Sequence, residues 1–203
     1  THALACGKVV IEEYLDGPEI SLFGISDGST VIGMEPAQDF KRVFDGDEGP
    51  NTGGMGAYSP LPWAPADIIS RTEKEVLIPT IKAMAERGTP FIGLLYAGLA
   101  MTSRGIRVIE FNARFGDPET QVVLGRLVTP LAGLLHRAST GRLADGPSAQ
   151  FSKGVAVTVV LASEGYPDRP APDRPIGSLT EDDNVHICHA STVRQGDDLI
   201  ATG

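Results

Sequence analysis

Apolar and polar residues alternate along one segment of the sequence, from residue 109 to residue 115. In a β-strand, successive side chains point to opposite faces. One face of such a strand would carry Val108, Glu110, Asn112 and Arg114. The other face would carry Ile109, Phe111, Ala113 and Phe115. The segment therefore predicts a strand whose apolar face packs on a core, while its polar face presents a carboxylate, an amide and a guanidinium group in a row.

The chemistry of this polar face favours a site for a metal–triphosphate complex. Hard oxygen ligands, such as those of Glu110 and Asn112, suit Mg²⁺, which takes one or two protein oxygens together with nucleotide phosphates. The planar guanidinium of Arg114 suits phosphate oxygens. The alternative is a solvated face of an amphipathic hairpin. The identity of the residues and the Arg-Phe-Gly-Asp-Pro-Glu run at 114–119 favour the metal–phosphate interpretation.

Composition narrows the class of protein. The 203 residues suffice for one ordinary domain, or for one domain plus part of another. A formal net charge of −9 argues against a nucleic-acid partner, which requires a basic surface. Two cysteines, Cys6 and Cys188, form no disulfide framework, so a cytoplasmic protein is predicted. No apolar run reaches the roughly 18 residues that span a bilayer, and no signal peptide is visible.

The two ends of the sequence predict a fragment. The chain opens at Thr1 without an initiator Met, and it stops at Gly203 shortly after an apparent strand and a Gly-Asp-Asp turn. Neither end resembles a natural domain boundary. We therefore expect this sequence to be part of a longer protein.

Hydrophobic periodicity predicts an α+β fold, because strands come first and mixed helices follow. Predicted strands cover residues 20–25, 30–34, 91–101, 106–115, 155–161 and 185–193, with an antiparallel hairpin joining 91–101 to 106–115. Predicted helices cover 68–87, 118–127 and 131–140, and Pro79 should kink or split the first. Residues 39–62 and 167–175 have the composition of loops.

A glycine-rich segment at 51–57 is the second candidate site. Its members are Asn51, Thr52, Gly53, Gly54, Met55, Gly56 and Ala57. Three glycines in four positions allow backbone conformations that aim several N–H groups at one anion. A flexible surface loop is an equally good interpretation of the glycines alone. The segment is not a Walker loop, because no Gly-Lys-Ser/Thr follows it.

Two further segments carry weaker signals. Asp39 could meet an ammonium group and Lys41 a carboxylate or phosphate, although a charged turn explains both residues as well. An extended segment around Glu12 and Leu15 would leave backbone groups free to pair with an adenine edge. A carboxylate a few residues on, such as Glu19, can accept from ribose hydroxyls. An acidic strand end is the alternative for this segment.

Five motifs together resemble the phosphoribosylamine–glycine ligase family, the glycinamide ribonucleotide synthetases, which are ATP-grasp enzymes of purine biosynthesis. The motifs are Val-Ile-Glu-Glu-Tyr-Leu-Asp-Gly-Pro-Glu (10–19), Gln-Asp-Phe-Lys-Arg (38–42), Gly-Pro-Asn-Thr-Gly-Gly-Met-Gly-Ala-Tyr-Ser-Pro (49–60), Gly-Leu-Leu-Tyr-Ala-Gly-Leu (93–99) and Arg-Phe-Gly-Asp-Pro-Glu-Thr-Gln (114–121). They occur in the family's order, and the resemblance runs from about Val9 to the end. The Gly-Gly-Met-Gly and Arg-Phe-Gly-Asp-Pro-Glu motifs are specific to this ligase within the ATP-grasp enzymes.

The resemblance implies a fold and a domain organisation. Residues 1–140 would form the larger lobe of an ATP-grasp domain, an antiparallel sheet with helices. Residues 141–153 would be a linker, and 154–203 the start of a small β-rich C-terminal domain. The family's N-terminal domain and its small ATP-grasp lid have no counterpart in this sequence. A single lobe should bind nucleotide poorly, so an isolated non-catalytic fragment is one alternative.

The resemblance also implies an activity. The family uses ATP and Mg²⁺ (or Mn²⁺) to join glycine to 5-phosphoribosylamine: the glycine carboxylate attacks the γ-phosphate to give glycyl phosphate, and the amine then displaces phosphate. The partners would be these small molecules alone, and the protein would be a monomer. Another ATP-grasp ligase, joining a different acid and amine, is the second alternative.

Family roles carry over residue by residue. Glu110 and Asn112 would be the metal ligands, and Arg114 would neutralise charge on the transferring phosphoryl group. Glu12 and Leu15 would meet adenine through their backbone, and Glu19 the ribose. The glycine and phosphoribosylamine pocket would be shaped by Asp39, Lys41, Asn51, Thr52, Gly53, Gly54, Met55, Gly56 and Asp117.

Overall fold

The computed structural model describes residues 9–180 and 182–202. The chain divides into two compact units, the first made of Thr1–Asp39 and Ala57–Thr158, the second of Phe40–Gly56 and Val159–Gly203. Residues 40–56 therefore pack with the C-terminal part of the chain. The predicted domain limits, whose ends at 1 and 203 lie outside the described residues, stay a prediction.

The first unit is built on a four-stranded sheet with the strand order β2-β1-β7-β8, in which every neighbouring pair is antiparallel. Its strands are β1 (Glu19–Asp27), β2 (Val31–Gly33), β7 (Ile92–Thr102) and β8 (Gly105–Asn112). The predicted hairpin between the last two strands is confirmed, and the first two strands also pair, across a turn that begins at Asp27. This arrangement of antiparallel sheet and helices confirms the predicted α+β class.

Two apolar clusters cover the two faces of this sheet. The first core includes Phe23, Ile25, Leu94, Tyr96, Val122 and Leu134. The second core includes Ile20, Leu22, Leu77, Ile81, Leu95 and Leu99. Because both faces of β1 and β7 are covered, these strands are buried over nearly their whole length and their sequences lack a simple apolar–polar alternation.

Helices on either side of the sheet complete these cores. On the side of the second core, α1 (Ile68–Thr72) runs into a π-helical turn (Glu73–Leu77) and then into α2 (Ile78–Glu86). On the side of the first core lie α3 (Glu119–Arg126) and α4 (Leu131–Ser139). A short 3₁₀ turn follows at Leu143–Asp145.

The predicted break at Pro79 takes a different form. Helical backbone continues through this residue, and the irregularity is the π turn that ends two residues before it. Proline lacks an N–H and is tolerated in the first turn of a helix, where that donor has no intrahelical partner. Pro79 occupies this position at the start of α2, so the change of hydrogen-bond register accommodates it without splitting the helix.

Several predictions for the loops and the last strands are wrong. Residues 39–62 contain short strands, because glycine and proline there separate two-to-four-residue pairings. They are β3 (Gln38–Asp39), β4 (Arg42–Phe44), β5 (Glu48–Asn51) and β6 (Gly56–Ser59). The strand predicted at 155–161 is the shorter β9 (Ala156–Val159), and residues 185–191 form no strand.

The second unit contains a small antiparallel sheet with the order β10-β12-β11. Its strands are β10 (Arg174–Ile176), β11 (Thr192–Gln195) and β12 (Asp198–Ala201). The same unit holds the hairpin of β4 and β5, and the N–H of Val160 donates to the carbonyl of Met55 at 2.9 Å. Ile200 is the buried apolar residue of its central strand.

Arg126, at the end of α3, is a buried cation in the first unit. It forms an ion pair with Glu35 and donates to Ser59 Oγ at 3.1 Å. It also donates to the carbonyls of Ser152 and Gly154, each at 2.6 Å. These partners accept hydrogen bonds from the guanidinium, so Arg126 can be buried, with 5% exposure. The same hydrogen bonds attach residues 152–154 to the rest of the first unit.

No helix within residues 9–180 and 182–202 is long and apolar enough to cross a membrane. Cys188 is an exposed free thiol, whereas Cys6 lies outside the described residues.

Asp27 ends β1 and ties distant parts of the first unit together. Its Oδ1 accepts from the N–H groups of Ser29 and Thr30 at 3.0 and 2.7 Å, and its Oδ2 accepts from the N–H of Leu143 at 3.0 Å. Burial alone would raise the pKa of this carboxyl, but the backbone donors outweigh burial and hold the pKa below its ordinary value of 3.8.

Replacing this carboxylate should therefore destabilise the protein in a pH-dependent way. Asp27→Asn should lower the free energy of unfolding by about 1–3 kcal/mol at about pH 7, because the amide leaves a buried N–H donor unpaired. A lowered folded-state pKa stabilises the protein above the ordinary pKa, and this stabilisation is lost as the pH falls through the folded-state value. The difference between variant and parent, measured by urea unfolding, should be smaller at about pH 3.

The exposed Asp67 offers a matched control, since its side chain makes no capping hydrogen bond at the start of α1. Asp67→Asn should leave the free energy of unfolding within about 0.5 kcal/mol of the parent. Equal losses in the two variants would contradict the role given to Asp27.

Candidate functional site

β8 places Glu110 and Asn112 on one face of the main sheet. Glu110 lies opposite Gly98 of β7, and Asn112 lies opposite Tyr96. Opposed residues of an antiparallel pair share a face, and Tyr96 belongs to the first core. Asn112 Nδ2 donates to Glu110 Oε1 at 3.1 Å. The two predicted metal ligands are therefore neighbours on the face of the first core, at the outer strand of the sheet.

A β-bulge at Ile109 changes the predicted faces of this strand. Val108 pairs with Leu99 and Glu110 pairs with Gly98, so Ile109 is an extra residue in β8. Leu99 belongs to the second core, which puts Val108 on the face opposite Glu110. The prediction that Val108 shares a face with Glu110 is wrong, because strict alternation fails across a bulge.

The predicted apolar face of the same segment is also wrong. Ile109 and Phe111 are each 41% exposed within this chain, so neither is buried in a core. Phe115 does pack, but in the first core, with its ring edge-on to Phe23 at a centroid distance of 5.7 Å. This is the side of the sheet on which Glu110 lies, because the chain turns over the sheet after β8 ends.

Arg114 lies just beyond the strand. β8 ends at Asn112, and Arg114 is an exposed residue of the bend that follows. Its Nη1 donates to the carbonyl of Phe115 at 2.9 Å. The guanidinium is thus two residues from Asn112, but on a bend rather than on the strand face that periodicity predicted.

Asp117 belongs to the turn that leads into α3. Its Oδ1 accepts from Gln121 Nε2 at 2.7 Å, and the side chain is exposed. The carbonyl of Gly116 accepts from the N–H and the hydroxyl of Thr120 at 3.2 and 2.5 Å. These local hydrogen bonds define the conformation of the turn in which Asp117 is presented.

Gly98 makes room for the Glu110 side chain. A Cβ built on Gly98 would lie 3.2 Å from Cγ of Glu110, closer than ordinary van der Waals contact. The donor chemistry fits a hard cation: a carboxylate and an amide oxygen project side by side, and nucleotide phosphates can complete the coordination. Within the described ranges no cluster of three or more His, Cys, Asp or Glu forms a metal site of its own.

Glu19 lies on the same sheet face as this pair. It opens β1 opposite Ala100, and Ala100 is in turn opposite Arg107 of β8. The next row on that face runs from Ser21 through Gly98 to Glu110. The predicted ribose ligand and the predicted metal ligands are therefore brought to one surface by the sheet register.

The predicted adenine segment precedes β1 in the first unit and has no regular secondary structure. Glu12 is exposed and Leu15 is half-buried. The carbonyl of Pro18 accepts from the N–H of Met101 at 2.9 Å, which attaches the end of the segment to β7. Its backbone roles toward a nucleotide stay predictions.

A buried hydroxyl–carboxylate network lies beside the candidate metal ligands. Glu119 Oε1 accepts from the Tyr96 hydroxyl at 2.6 Å and from Ser21 Oγ at 3.0 Å, and the two hydroxyls are 2.8 Å apart. Burial, and then the hydrogen bond to Glu119, raise the pKa of the Tyr96 phenol, which keeps it a donor. Sequence analysis missed this network, although Glu119 belongs to the 114–121 motif and Tyr96 to the 93–99 motif.

The predicted substrate residues are divided between the two units. Asp39 belongs to the first unit, where it pairs with Ala57. Lys41 and the 51–56 loop belong to the second unit. There the N–H and the hydroxyl of Thr52 donate to the carbonyl of Lys41 at 2.7 and 2.9 Å, so the structure places these two residues together.

The glycine-rich loop does not present the row of N–H groups that its composition suggested. The N–H of Thr52 is used by Lys41, that of Gly54 donates to Thr52 Oγ1 at 3.0 Å, and that of Met55 donates to the Phe40 carbonyl at 2.7 Å. The N–H of Gly53 faces the Tyr166 hydroxyl at 3.5 Å, a long hydrogen bond. The loop's role toward a substrate stays a prediction.

The curated proteins similar to this chain include phosphoribosylamine–glycine ligases from several bacteria. The chain is 59% identical, over its whole length, to the phosphoribosylamine–glycine ligase of Streptomyces coelicolor, of which it covers 50%. It is 52% identical to the ligase of Corynebacterium ammoniagenes, again over its whole length and over 47% of that protein. The chain thus spans about half the length of the curated relatives it matches.

The solved structures similar to this chain also include a phosphoribosylamine–glycine ligase. The phosphoribosylamine–glycine ligase of Thermotoga maritima superposes with a TM-score of 0.82 and 32% identity, over 95% of this chain and 47% of that one. Campylobacter jejuni biotin carboxylase superposes with a TM-score of 0.58 at 17% identity, over 84% of this chain and 36% of that one, and shows likeness of fold alone.

A family model completes the comparison. The model of the phosphoribosylglycinamide synthetase ATP-grasp (A) domain matches residues 2–120, more than half of the chain. This match covers the main sheet, the candidate metal ligands and the turn that follows them. The chain belongs to the phosphoribosylglycinamide synthetase family and contains its ATP-grasp (A) domain.

Proposed function

We propose that the protein containing this chain is an ATP-dependent ligase that joins glycine to 5-phosphoribosylamine, giving glycinamide ribonucleotide, ADP and phosphate. The observation that carries the proposal is the common sheet face of Glu19, Glu110 and Asn112. A ribose acceptor and two hard oxygen ligands on one surface suit a nucleotide with its metal. The relatives named phosphoribosylamine–glycine ligase support the choice of acid and amine.

Glu110 and Asn112 are the proposed metal ligands, with Mg²⁺ (or Mn²⁺) as the ion. A divalent cation bound there would neutralise charge on the triphosphate during phosphoryl transfer. Glu110 supplies the anionic oxygen, and Gly98 leaves its side chain the space to reach the ion. Asn112 supplies a neutral oxygen while its Nδ2 orients Glu110 by the 3.1 Å hydrogen bond.

The bend after β8 carries the proposed phosphoryl-transfer residues. Arg114 is exposed, so its guanidinium can exchange the Phe115 carbonyl for phosphate oxygens when the nucleotide binds. Asp117, held by Gln121, would orient the substrate end of the site. The backbone of Glu12 and Leu15 would meet the adenine, while Asp39, Lys41 and the 51–56 loop would contribute to the glycine and phosphoribosylamine pocket.

A glycine-dependence assay tests this function. The full-length ligase should release ADP only when glycine, 5-phosphoribosylamine and Mg-ATP are all present, and glycinamide ribonucleotide should accumulate in equal amount. The rival is an ATP-grasp ligase for another acid and amine. Undiminished ADP release without glycine, or with a different amino acid in its place, would favour that rival.

We further propose that the protein is a cytoplasmic monomer, and that its domain limits in this sequence are 1–140, 141–153 and 154–203.

Removing the anionic metal ligand should strongly reduce turnover without unfolding the protein. Glu110→Gln in the full-length ligase should lower kcat by about 10²–10³-fold, because charge stabilisation at the transferring phosphate is lost. Glu86→Gln is the matched control, since Glu86 is exposed and only pairs with Lys82 along α2. Steady-state rates over a Mg²⁺ titration measure the effect. Near-parental turnover of Glu110→Gln at low Mg²⁺ would refute the metal assignment.

A methyl group opposite Glu110 should weaken the metal site. Gly98→Ala places a Cβ 3.2 Å from Glu110 Cγ, so the carboxylate must shift. The Mg²⁺ concentration for half-maximal activity should rise several-fold, because the ligand carboxylate must move by a few tenths of an ångström.

Gly125→Ala is the control for that substitution, because a Cβ at Gly125, in α3, meets nothing within 4 Å. It should leave the Mg²⁺ requirement unchanged. A parental Mg²⁺ requirement in Gly98→Ala would show that the close approach of Gly98 to Glu110 has no functional effect.

Arg114 should act in the transition state more than in nucleotide binding. Arg114→Ala should lower kcat by about 10²–10³-fold while the dissociation constant for ATP changes little. Single-turnover quench-flow and equilibrium ATP binding separate the two effects. Arg87→Ala, at the exposed end of α2, should change neither quantity. An effect of Arg114→Ala confined to ATP affinity would contradict the proposed role.

A further inference from the structure

Glu119 is a buried carboxylate that has no role in the proposed phosphoryl-transfer chemistry. Glu119 is only 2% exposed. Within the described parts of the chain, no Lys, Arg or His side chain forms an ion pair with it. Burying a carboxylate is unfavourable unless hydrogen bonds compensate for lost water. The compensation comes from two hydroxyl donors on one oxygen, those of Tyr96 and Ser21.

The two donors lie in the two rows of the sheet that end at the candidate metal ligands. One row runs from Ser21 through Gly98 to Glu110. The adjacent row on the same face runs through Tyr96 to Asn112. Glu119 Oε1 therefore links these rows within the first unit, on the face from which Glu110 and Asn112 project.

The other oxygen of Glu119 touches the turn that carries the proposed phosphoryl-transfer residues. A Cβ built on Gly116 would lie 2.5 Å from Glu119 Oε2, so this carboxylate oxygen occupies the space that a side chain at residue 116 would need. Gly116 lies directly before Asp117 and two residues after Arg114. One side chain thus contacts both the sheet rows and the turn.

We propose that Glu119 is a positioning residue that sets the relative placement of the metal-ligand pair Glu110 and Asn112 and the Arg114–Asp117 turn. It acts through Tyr96 and Ser21 on the sheet and through its contact with Gly116 on the turn. The proposal rests on the proposed metal site. Residues hydrogen-bonded to a metal ligand commonly contribute about 10–100-fold to metal affinity. Glu119 acts through the strand pairing rather than by a hydrogen bond to a ligand, so its contribution should lie at the low end of this range.

Direct metal binding tests the role independently of turnover. Free Mn²⁺ is measured by electron paramagnetic resonance during titration of the full-length ligase with saturating ADP. Glu119→Ala should weaken Mn²⁺ binding by about tenfold, the low end of the range for residues that support metal ligands. Glu119→Gln should recover part of the loss, because its amide oxygen can still accept from both hydroxyls.

Two serines of β1 provide a matched pair in case Glu119→Ala does not fold. Ser21 and Ser26 are both buried and both use their hydroxyls, but Ser26 donates to the Phe91 carbonyl at 2.9 Å. It lies five residues further along β1, about 16 Å away at about 3.3 Å per residue. Ser21→Ala should weaken Mn²⁺ binding by several-fold. Ser26→Ala should lower the melting temperature but leave Mn²⁺ binding unchanged.

The proposal is overturned if Glu119→Ala and Ser21→Ala lower the melting temperature but bind Mn²⁺ as the parent does. That result would give Glu119 a role in stability alone. Glu110→Gln in the same titration distinguishes a failure of the positioning role from a failure of the metal site. If Glu110→Gln weakens Mn²⁺ binding and the Glu119 and Ser21 variants do not, only the positioning role is wrong. If Glu110→Gln also binds Mn²⁺ normally, the metal site is wrong and the positioning role is wrong with it.

Discussion

The antiparallel pairing of β1 with β7 is the constraint on which the first unit depends. It runs in unbroken register from Glu19 opposite Ala100 to Asp27 opposite Ile92, and apolar cores bury it on both faces. A shift of this register by one residue would exchange the two faces of β1 and expose its apolar side chains. The register is therefore fixed by burial, and it also decides that Glu19 and Ser21 share a face with Gly98.

The bulge at Ile109 then decides the face on which the candidate site forms. Before the bulge, Val108 faces the second core; after it, Glu110 and Asn112 occupy the face of the first core. Bulges commonly re-aim side chains beside functional sites. With this one extra residue, an edge strand that begins in the second core ends by presenting a carboxylate and an amide beside the Glu119 network.

Periodicity and family motifs together predicted much of this arrangement. The β7–β8 hairpin, the helices after the 114–121 motif and the neighbouring positions of Glu110 and Asn112 follow from local patterns. The bulge was not predicted, although the adjacent apolar residues Val108 and Ile109 interrupt the alternation at this point. Two successive apolar residues also occur in strands that are covered on both faces, as β1 and β7 are. Pairing between residues far apart in sequence, such as Ser21 and Tyr96 with Glu119, has no local signal. The composition of the glycine-rich loop likewise does not indicate which of its N–H groups are used by hydrogen bonds within the loop region.

One face of the main sheet should hold a metal–nucleotide complex through Glu110 and Asn112. A crystal structure of the full-length ligase with Mn²⁺ and ADP, with anomalous data, would show whether it does. An anomalous peak should lie about 2.0–2.3 Å from a Glu110 carboxylate oxygen and from the Asn112 amide oxygen, with ADP phosphate oxygens completing the coordination. A peak bound elsewhere, with both side chains clear of the metal, would contradict the proposed metal site.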